Sequence, residues 1–122
     1  MDEIQDFATK LFDLARDGDA TLLEYISQGV NIDMVNQDGQ SFIMLAAYHG
    51  HAELVRQLAA AGADVNLLND RGQSPLAGAI FKKEDEVISA LLEAHADPTA
   101  GQPNAIDSAR MFGREDLLER LS

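Results

Sequence analysis

The residue types in this sequence that most often carry chemistry are three histidines and a large set of carboxylates. A helical zinc site needs two histidines four positions apart and a further ligand nearby. His49 and His51 are two positions apart around a predicted turn, and His95 lies much later in the chain. The sequence also has no cysteine, which removes thiolate ligands and cysteine nucleophiles. We therefore predict no metal site.

Enzyme and cofactor motifs are also missing from the sequence. It contains no GxxxxGKS/T phosphate loop, no GxGxxG dinucleotide fingerprint and no GxSxG nucleophile turn. The acidic clusters at residues 84–86 and 115–116 stand where helices are predicted to begin, and negative charge stabilises a helix N-terminus. Neither is flanked by the apolar pocket and partner acid that glycosidase-type chemistry needs. These observations predict a protein without catalysis and without a cofactor.

The balance of charge is strongly acidic, with 9 Lys and Arg against 21 Asp and Glu and a formal net charge of −12. A surface of this sign repels nucleic acid and anionic membrane, so neither is predicted as a partner. Residues 1–40 contribute −7 of the charge, residues 41–100 contribute −4 and residues 101–122 contribute −1. Attraction of a basic partner is therefore expected to be strongest at the N-terminal end.

The composition predicts a compact domain, because 46% of the residues are hydrophobic and 25% are charged. The N-terminal residues form no basic leader, and no stretch approaches the roughly 18 consecutive apolar residues of a membrane span. The predicted location is cytoplasmic.

An internal repeat organises the chain. The hexapeptide NQDGQS at residues 36–41 returns as NDRGQS at residues 69–74, and apolar positions keep apolar partners at the same offset of 33 residues. Degenerate copies lie before and after these two. We therefore predict a single domain over residues 1–122, with repeats at about 4–35, 36–68, 69–100 and 101–122, the first and last being caps.

Each copy is predicted to form two short helices joined by a turn. Ser41 and Ser74 are N-cap residues for a first helix, and Pro75 stands at the first helical position, where its missing N–H costs nothing. Gly50 ends the first helix of the second copy, and Gly62 closes its second helix. One such unit cannot bury its apolar face alone, so the units are expected to stack.

These residues resemble the ankyrin repeat, whose unit is also about 33 residues long. The resemblance is carried by GQSFIMLAAYHGH at residues 39–51, GADVN at residues 62–66 and GQSPL at residues 72–76. It implies an all-α solenoid of stacked helix-turn-helix units with short hairpin fingers along one edge. It also implies a non-catalytic protein–protein interaction module, whose partner lies in a concave groove formed by the fingertips and the first helices.

The sequence departs from the family pattern at several positions. Met44 and Ala77 replace the motif histidine, so the hydrogen bonds that this histidine makes between units are expected to be absent. Lys83 and His95 stand where glycines close the two helices of the third copy, and a non-glycine residue in the left-handed region costs about 1 kcal/mol. We therefore predict that the third unit is less stable than the second.

The variable contact positions of the family indicate which residues would face a partner. The leading positions at the ends of the first helices are Arg16 and three large apolar residues, Tyr48, Phe81 and Met111, which are predicted to form a row across the groove. The full set predicted to contact a partner is Arg16, Gln37, Asp38, Gln40, Tyr48, His49, Asp70, Arg71, Gln73, Phe81, Lys82, Met111 and Phe112. In the competing interpretation, the aromatic side chains cover seams between helices, and the fingertip residues are solvated turn residues.

Further possibilities follow from the acidic charge and the apolar row. The partner is expected to be another protein with a basic patch, and the chain a monomer or weak homodimer. An alternative function is a small acidic inhibitor, or antitoxin-like protein, that blocks the basic active site of an enzyme through residues 1–40. Leu58 followed by DVN at residues 64–66 resembles the sites that an asparaginyl hydroxylase modifies in ankyrin proteins, and modification of Asn66 is left open.

Overall fold

The computed structural model describes residues 3–122, so the first two residues of the predicted domain lie outside it. That part of the chain contains eight helices. In chain order they are α1 Glu3–Asp17, α2 Thr21–Ser27, α3 Phe42–Tyr48, α4 Ala52–Ala60, α5 Pro75–Phe81, α6 Asp85–Glu93, α7 Ala105–Met111 and α8 Glu115–Leu121. None of these helices combines the length and the hydropathy that crossing a membrane requires.

The predicted helix starts are confirmed by their capping hydrogen bonds. Ser41 Oγ accepts from the Met44 backbone N–H at 3.2 Å, and Ser74 Oγ accepts from the Ala77 N–H at 3.1 Å. Asn104 caps α7 in the same way, its Oδ1 accepting from the Asp107 N–H at 2.8 Å. The short α3, α5 and α7 therefore begin where the side chains of their N-cap residues satisfy a free backbone donor.

The helices stack in two layers. In the first layer α1 packs on α3, α3 on α5, and α5 on α7, while α4 packs on α6 in the second. Each first helix also packs against the second helix of its own pair. This arrangement confirms the predicted all-α solenoid of stacked helix-turn-helix units.

The core runs along the first layer. Six of the seven residues of α3, Phe42–Ala47, are buried, and so are residues 75–80 of α5. Met44, at the position of the motif histidine, is 1% exposed, and a Cβ atom added to Gly78 would lie 3.1 Å from its terminal methyl carbon. Met44 therefore packs closely against Gly78 of the next unit, and full burial of such a side chain contributes about 1.5–3 kcal/mol.

The two predicted left-handed residues of the third unit adopt that conformation. Lys83 has φ of 60° and His95 has φ of 64°. Gly50 and Gly113, which end the first helices of the neighbouring pairs, have φ of 80° and 68°. The same backbone turn therefore recurs along the stack, and the third unit forms it without glycine. The lower stability predicted for that unit stays a prediction.

Hairpin fingers project between the helix pairs, and in two of them an asparagine side chain accepts hydrogen bonds across the turn. Asn36 Oδ1 accepts from the backbone N–H groups of Asp38 and Gln40 at 2.9 and 3.0 Å. Asn69 Oδ1 accepts from those of Arg71 and Gln73 at 3.0 and 3.1 Å. Among residues 3–122, these fingers form no longer strand than an isolated antiparallel bridge between Val35 and Ser41.

Consecutive fingers are joined by backbone hydrogen bonds. The Asp70 N–H donates to the Asp38 carbonyl at 3.2 Å, and the Gln102 N–H donates to the Gly72 carbonyl at 3.0 Å. Because these bonds use main-chain atoms, the spacing of the fingers does not depend on the side chains at their tips.

Side chains add further links between neighbouring units. Asp33 Oδ1 accepts from the Asp64 N–H at 2.8 Å, and Asn66 Oδ1 accepts from the Asp97 N–H at 2.7 Å. Asn66, whose modification the sequence left open, thus already holds the next unit through its amide oxygen.

Arg114 links the last two units. Its Nη2 lies 3.0 Å from both Asp116 Oδ2 and Asp85 Oδ1. Hydrogen bonds, first to Asp116 and then to Asp85, raise the pKa of Arg114 above its usual value. The arginine therefore acts as a permanent positive bridge between α6 and α8.

Candidate functional site

The first helix of each unit ends on the same edge of the stack. Tyr48, Phe81 and Met111 are the last residues of α3, α5 and α7, and His49, Lys82 and Phe112 are the corresponding C-cap residues. Arg16 and Asp17 end α1. The repeat register inferred from the sequence therefore places these residues at equivalent positions of successive helices.

An apolar cavity of about 230 Å³ lies between the third and fourth units. Phe81, Met111 and Phe112 are 50%, 67% and 41% exposed there, although they are large hydrophobic side chains. The rings of Phe81 and Phe112 meet edge to face, with centroids 5.7 Å apart. The residues lining this apolar cavity are Gln73, Ala77, Phe81, Pro103, Ser108, Met111 and Phe112.

A polar cavity of about 270 Å³ lies between the second and third fingers. It is lined by Asp38, Gln40, Tyr48, Asn69, Asp70, Arg71 and Gln73. Gln73 also lines the apolar cavity, so the two cavities are neighbours that share one wall. We call the surface formed by the two cavities the groove face.

Tyr48 belongs to the polar cavity and not to the apolar one. The Lys82 ammonium lies 5.0 Å from the centroid of the Tyr48 ring, close enough for a cation–π interaction. The structure thus divides the predicted row: Phe81 and Met111 line one cavity together, and Tyr48 lines the other with fingertip residues.

Charged side chains of the polar cavity have no partner within the described residues. Asp38, Asp70 and Arg71 form neither an ion pair nor a side-chain hydrogen bond among residues 3–122. The Asp70 carboxylate lies against Gly39, where an added Cβ atom would collide with it. These charges are therefore available to a ligand.

A basic group lies at the ends of α1, α3 and α5. Burial is the main cause that lowers the pKa of His49, and the positive charges of His51, Arg16 and Lys82 lower it further, against an opposing effect of Asp17. Arg16 Nη1 also donates to Asp13 Oδ1 at 3.0 Å on its own helix. Arg16, Gln37, His49 and Lys82, all predicted contact residues, line neither cavity.

Several residues of the region were missed by the sequence reasoning. Pro103 and Ser108 complete the apolar cavity, and no pattern in the sequence singles them out. Ala77 also lines it, although the sequence marked Ala77 only as a replacement of the motif histidine and not as a contact residue. His51 Nε2 donates to the Arg16 carbonyl at 2.6 Å and so ties the second unit to the first. The sequence offered one indication of this contact. His51 directly follows Gly50, which ends a helix, and a side chain at that position can reach the end of the previous unit.

The outer helices carry two wider hollows, of about 400 and 600 Å³. They are lined mainly by alanine and aliphatic residues of α2, α4 and α6, and Arg56 Nε lies 3.2 Å from Glu93 Oε2 across one of them. Among residues 3–122, no three histidine, aspartate or glutamate side chains are grouped so that they could hold a metal ion.

Stacked helix pairs with fingers along one edge define a helical repeat protein. The family model for ankyrin repeats, in three copies, matches residues 11–102, most of the chain. The chain belongs to the ankyrin repeat family, whose members are generally non-catalytic protein–protein interaction modules.

A relative from Pseudomonas aeruginosa carries a name that describes it as an ankyrin repeat protein. The two sequences are 49% identical over 55 residues, which is 44% of this chain and 32% of that protein. The chain thus spans about a third of the length of this relative.

Proposed function

We propose that this protein binds another protein through the groove face and has no catalytic activity of its own. The observation that carries the proposal is the apolar cavity, where Phe81, Met111 and Phe112 stay substantially exposed. Beside it lie charged side chains that have no ionic partner among residues 3–122. Clustered exposed apolar side chains with a polar surround are typical of binding hot spots.

The size of the cavities supports a protein partner over a small molecule. Pockets for small molecules have volumes of about 300–1,000 Å³ and enclose most of the ligand. The apolar and polar cavities are smaller, at about 230 and 270 Å³. Each is suited to a single side chain of a partner, and the net charge of −12 favours a partner with a basic patch.

The proposal is tested by affinity purification with a double variant, Phe81→Ala with Met111→Ala. We expect the recovery of a specific partner to fall by about tenfold or more, since loss of hot-spot side chains costs this much in binding. Thermal unfolding should be nearly unchanged, because both side chains are at least half exposed.

Leu68→Ala is the matched control. Leu68 is 41% exposed, the same fraction as Phe112, but it lines neither cavity. Equal loss of the partner in both variants, or full recovery with the double variant, would show that binding does not use the groove face.

The uneven charge favours a second candidate function, an acidic inhibitor of an enzyme with a basic active site. Residues 1–40 carry −7 of the −12 charge. In that case, binding should weaken steeply with salt and should depend on acidic residues of α1, such as Asp6 and Asp13. The Phe81 and Met111 variant would then still bind, so the same purification separates the two functions.

The cytoplasmic location and the monomeric or weakly dimeric state belong to this proposal as well. Light scattering over a range of protein concentrations tests the oligomeric state. A stable dimer that the Phe81 and Met111 variant abolishes would identify a second copy of the chain as the occupant of the apolar cavity.

A further inference from the structure

The two cavities of the groove face lie side by side but differ in chemistry. Within the described part of the chain, Gln73 is the one residue that lines both, so their occupants would be separated by a single side chain. Two residues of an extended peptide span about 6.6 Å, which is on the scale of such a separation. One short extended segment can therefore fill both cavities.

The polar cavity favours a cation. Two carboxylates, Asp38 and Asp70, line it together with one guanidinium, Arg71, and none of the three has a charged partner in the described chain. The surrounding protein adds a formal charge of −12. Lys82 lies over the Tyr48 ring and lines neither cavity. The net charge of the residues that line the polar cavity is therefore negative.

The side chain best suited to this cavity is that of arginine or lysine. Carboxylates bind a guanidinium through paired, charge-assisted hydrogen bonds, and an ammonium as a point charge. Gln40 and Arg71 add donors that can reach the backbone carbonyl groups of a bound segment.

We propose that the groove face recognises a short extended segment of its partner in which a Lys or Arg side chain enters the polar cavity and a large apolar side chain, a few residues away, enters the apolar cavity. This inference rests on the proposed function and specifies its ligand. Asp38 and Asp70 select the basic residue, and Phe81, Met111 and Phe112 hold the apolar one.

The inference is tested by selecting peptides from a display library of random sequences with three proteins: the natural chain, Asp38→Asn with Asp70→Asn, and Phe81→Ala with Met111→Ala. We expect the natural chain to enrich peptides in which a basic residue lies within a few positions of a large apolar residue. The Asn variant should lose the preference for a basic residue and keep the apolar one. The Ala variant should lose most of the enrichment.

A matched control separates the local carboxylates from the net charge. Glu53→Gln with Glu119→Gln removes the same amount of negative charge at exposed positions outside both cavities. This variant should select the same peptides as the natural chain. Circular dichroism and thermal unfolding of all variants establish that each is folded.

Fluorescence anisotropy with the most enriched peptide gives the size of the effect. Replacing its basic residue by glutamine should weaken binding to the natural chain by about tenfold. The same replacement should have little effect on binding to the Asp38→Asn, Asp70→Asn variant, because this variant lacks the carboxylates that bind the basic side chain of the peptide.

The outcomes distinguish this inference from the proposed function. Enriched peptides that need Phe81 and Met111 but carry no basic residue, or an acidic one opposite Arg71, overturn the inference and leave the groove face as the binding site. Peptides bound equally by the Ala variant overturn the proposed function itself. A library without enriched peptides contradicts the inference, which requires that a short segment be sufficient.

Discussion

At the scale of single residues, the chain forms one recurring turn with different residue types. Lys83 has φ of 60°, and its side chain makes no ion pair or hydrogen bond with the described residues. Gly113 holds the same position in the last unit with φ of 68°, and a Cβ atom added there would meet nothing within 4 Å. Both positions have a left-handed backbone, which glycine adopts without strain and lysine does not.

Lys83→Gly should therefore increase the free energy of unfolding by about 1 kcal/mol, because it removes the steric cost of the left-handed conformation. Gly113→Ala is the reciprocal control and should lower it by a similar amount. Urea unfolding followed by circular dichroism measures both. A destabilising Lys83→Gly would mean that the lysine side chain contributes an interaction larger than the backbone strain.

The pKa of His49 makes stability depend on pH. Burial and nearby positive charges lower the pKa of this histidine in the folded state below its ordinary value of 6.5. The unfolded chain therefore binds more protons in the interval between the two values, so stability should fall as pH drops below about 6.5. The lowered pKa values of Asp19, Asp97 and Asp116 act in a separate interval, below 3.8.

His49→Gln should flatten the pH dependence just below pH 6.5. The measurement is the urea midpoint at pH 7.5 and at pH 5.5 for the natural chain and the variant. If the urea midpoints of the natural chain and the variant change equally with pH, the pKa of His49 does not differ between the folded and unfolded states.

At the scale of secondary-structure elements, His51 couples α4 to the end of α1. Its Nε2 donates to the Arg16 carbonyl, and its ring covers Gly18, where an added Cβ atom would lie 2.5 Å from Nδ1. Gly18→Ala must therefore displace the ring in addition to straining the backbone.

A double-mutant cycle should reveal this coupling. We expect Gly18→Ala to destabilise the natural chain by about 1 kcal/mol more than it destabilises a His51→Ala background, because the collision with the ring is then absent. Gly113→Ala lies in the last unit, and its effect should add to that of His51→Ala within about 0.5 kcal/mol. Additive effects of Gly18→Ala and His51→Ala would rule out the coupling.

Local chemistry explains which elements could be predicted from the sequence. Ser41 and Ser74 cap helices within three residues of themselves, and Lys83 and His95 were placed in the left-handed region because the ankyrin pattern has glycine at their positions. The division of the apolar row into two cavities could not be predicted. It depends on Lys82 covering Tyr48 and on Pro103 from the next unit, which are contacts between side chains of different elements.

At the scale of the whole molecule, the stack is expected to be unevenly stable. Each repeat contacts only its neighbours, so the inner pairs have two supporting interfaces and the end pairs have one. Six of the seven residues of α3 are buried, whereas α8 buries Leu117 and Leu121. The third unit also carries Lys83 and His95, the two non-glycine residues with positive φ among residues 3–122.

Hydrogen exchange should therefore be slowest in α3 and α4, faster in α5 and α6, and fastest in α8. Lys83→Gly should slow exchange in α5 and α6 toward the values of α3 and α4. Mass spectrometry of peptic fragments measures these rates. Equal protection along the whole stack would indicate a single cooperative unit and would contradict the predicted weakness of the third repeat.

Consecutive fingers are joined by main-chain hydrogen bonds, whereas the proposed ligand contacts are made by side chains. The Asp38 carbonyl and the Asp70 N–H keep two fingers together, while the side chains of the same two residues form no ion pair or hydrogen bond with the described residues. Substitution of these two side chains leaves the main-chain bond in place, so we expect it to change the proposed ligand preference with little effect on stability. The fingers are accordingly exchangeable parts, and tips grafted from one member of the family to another should transfer ligand preference on an intact scaffold.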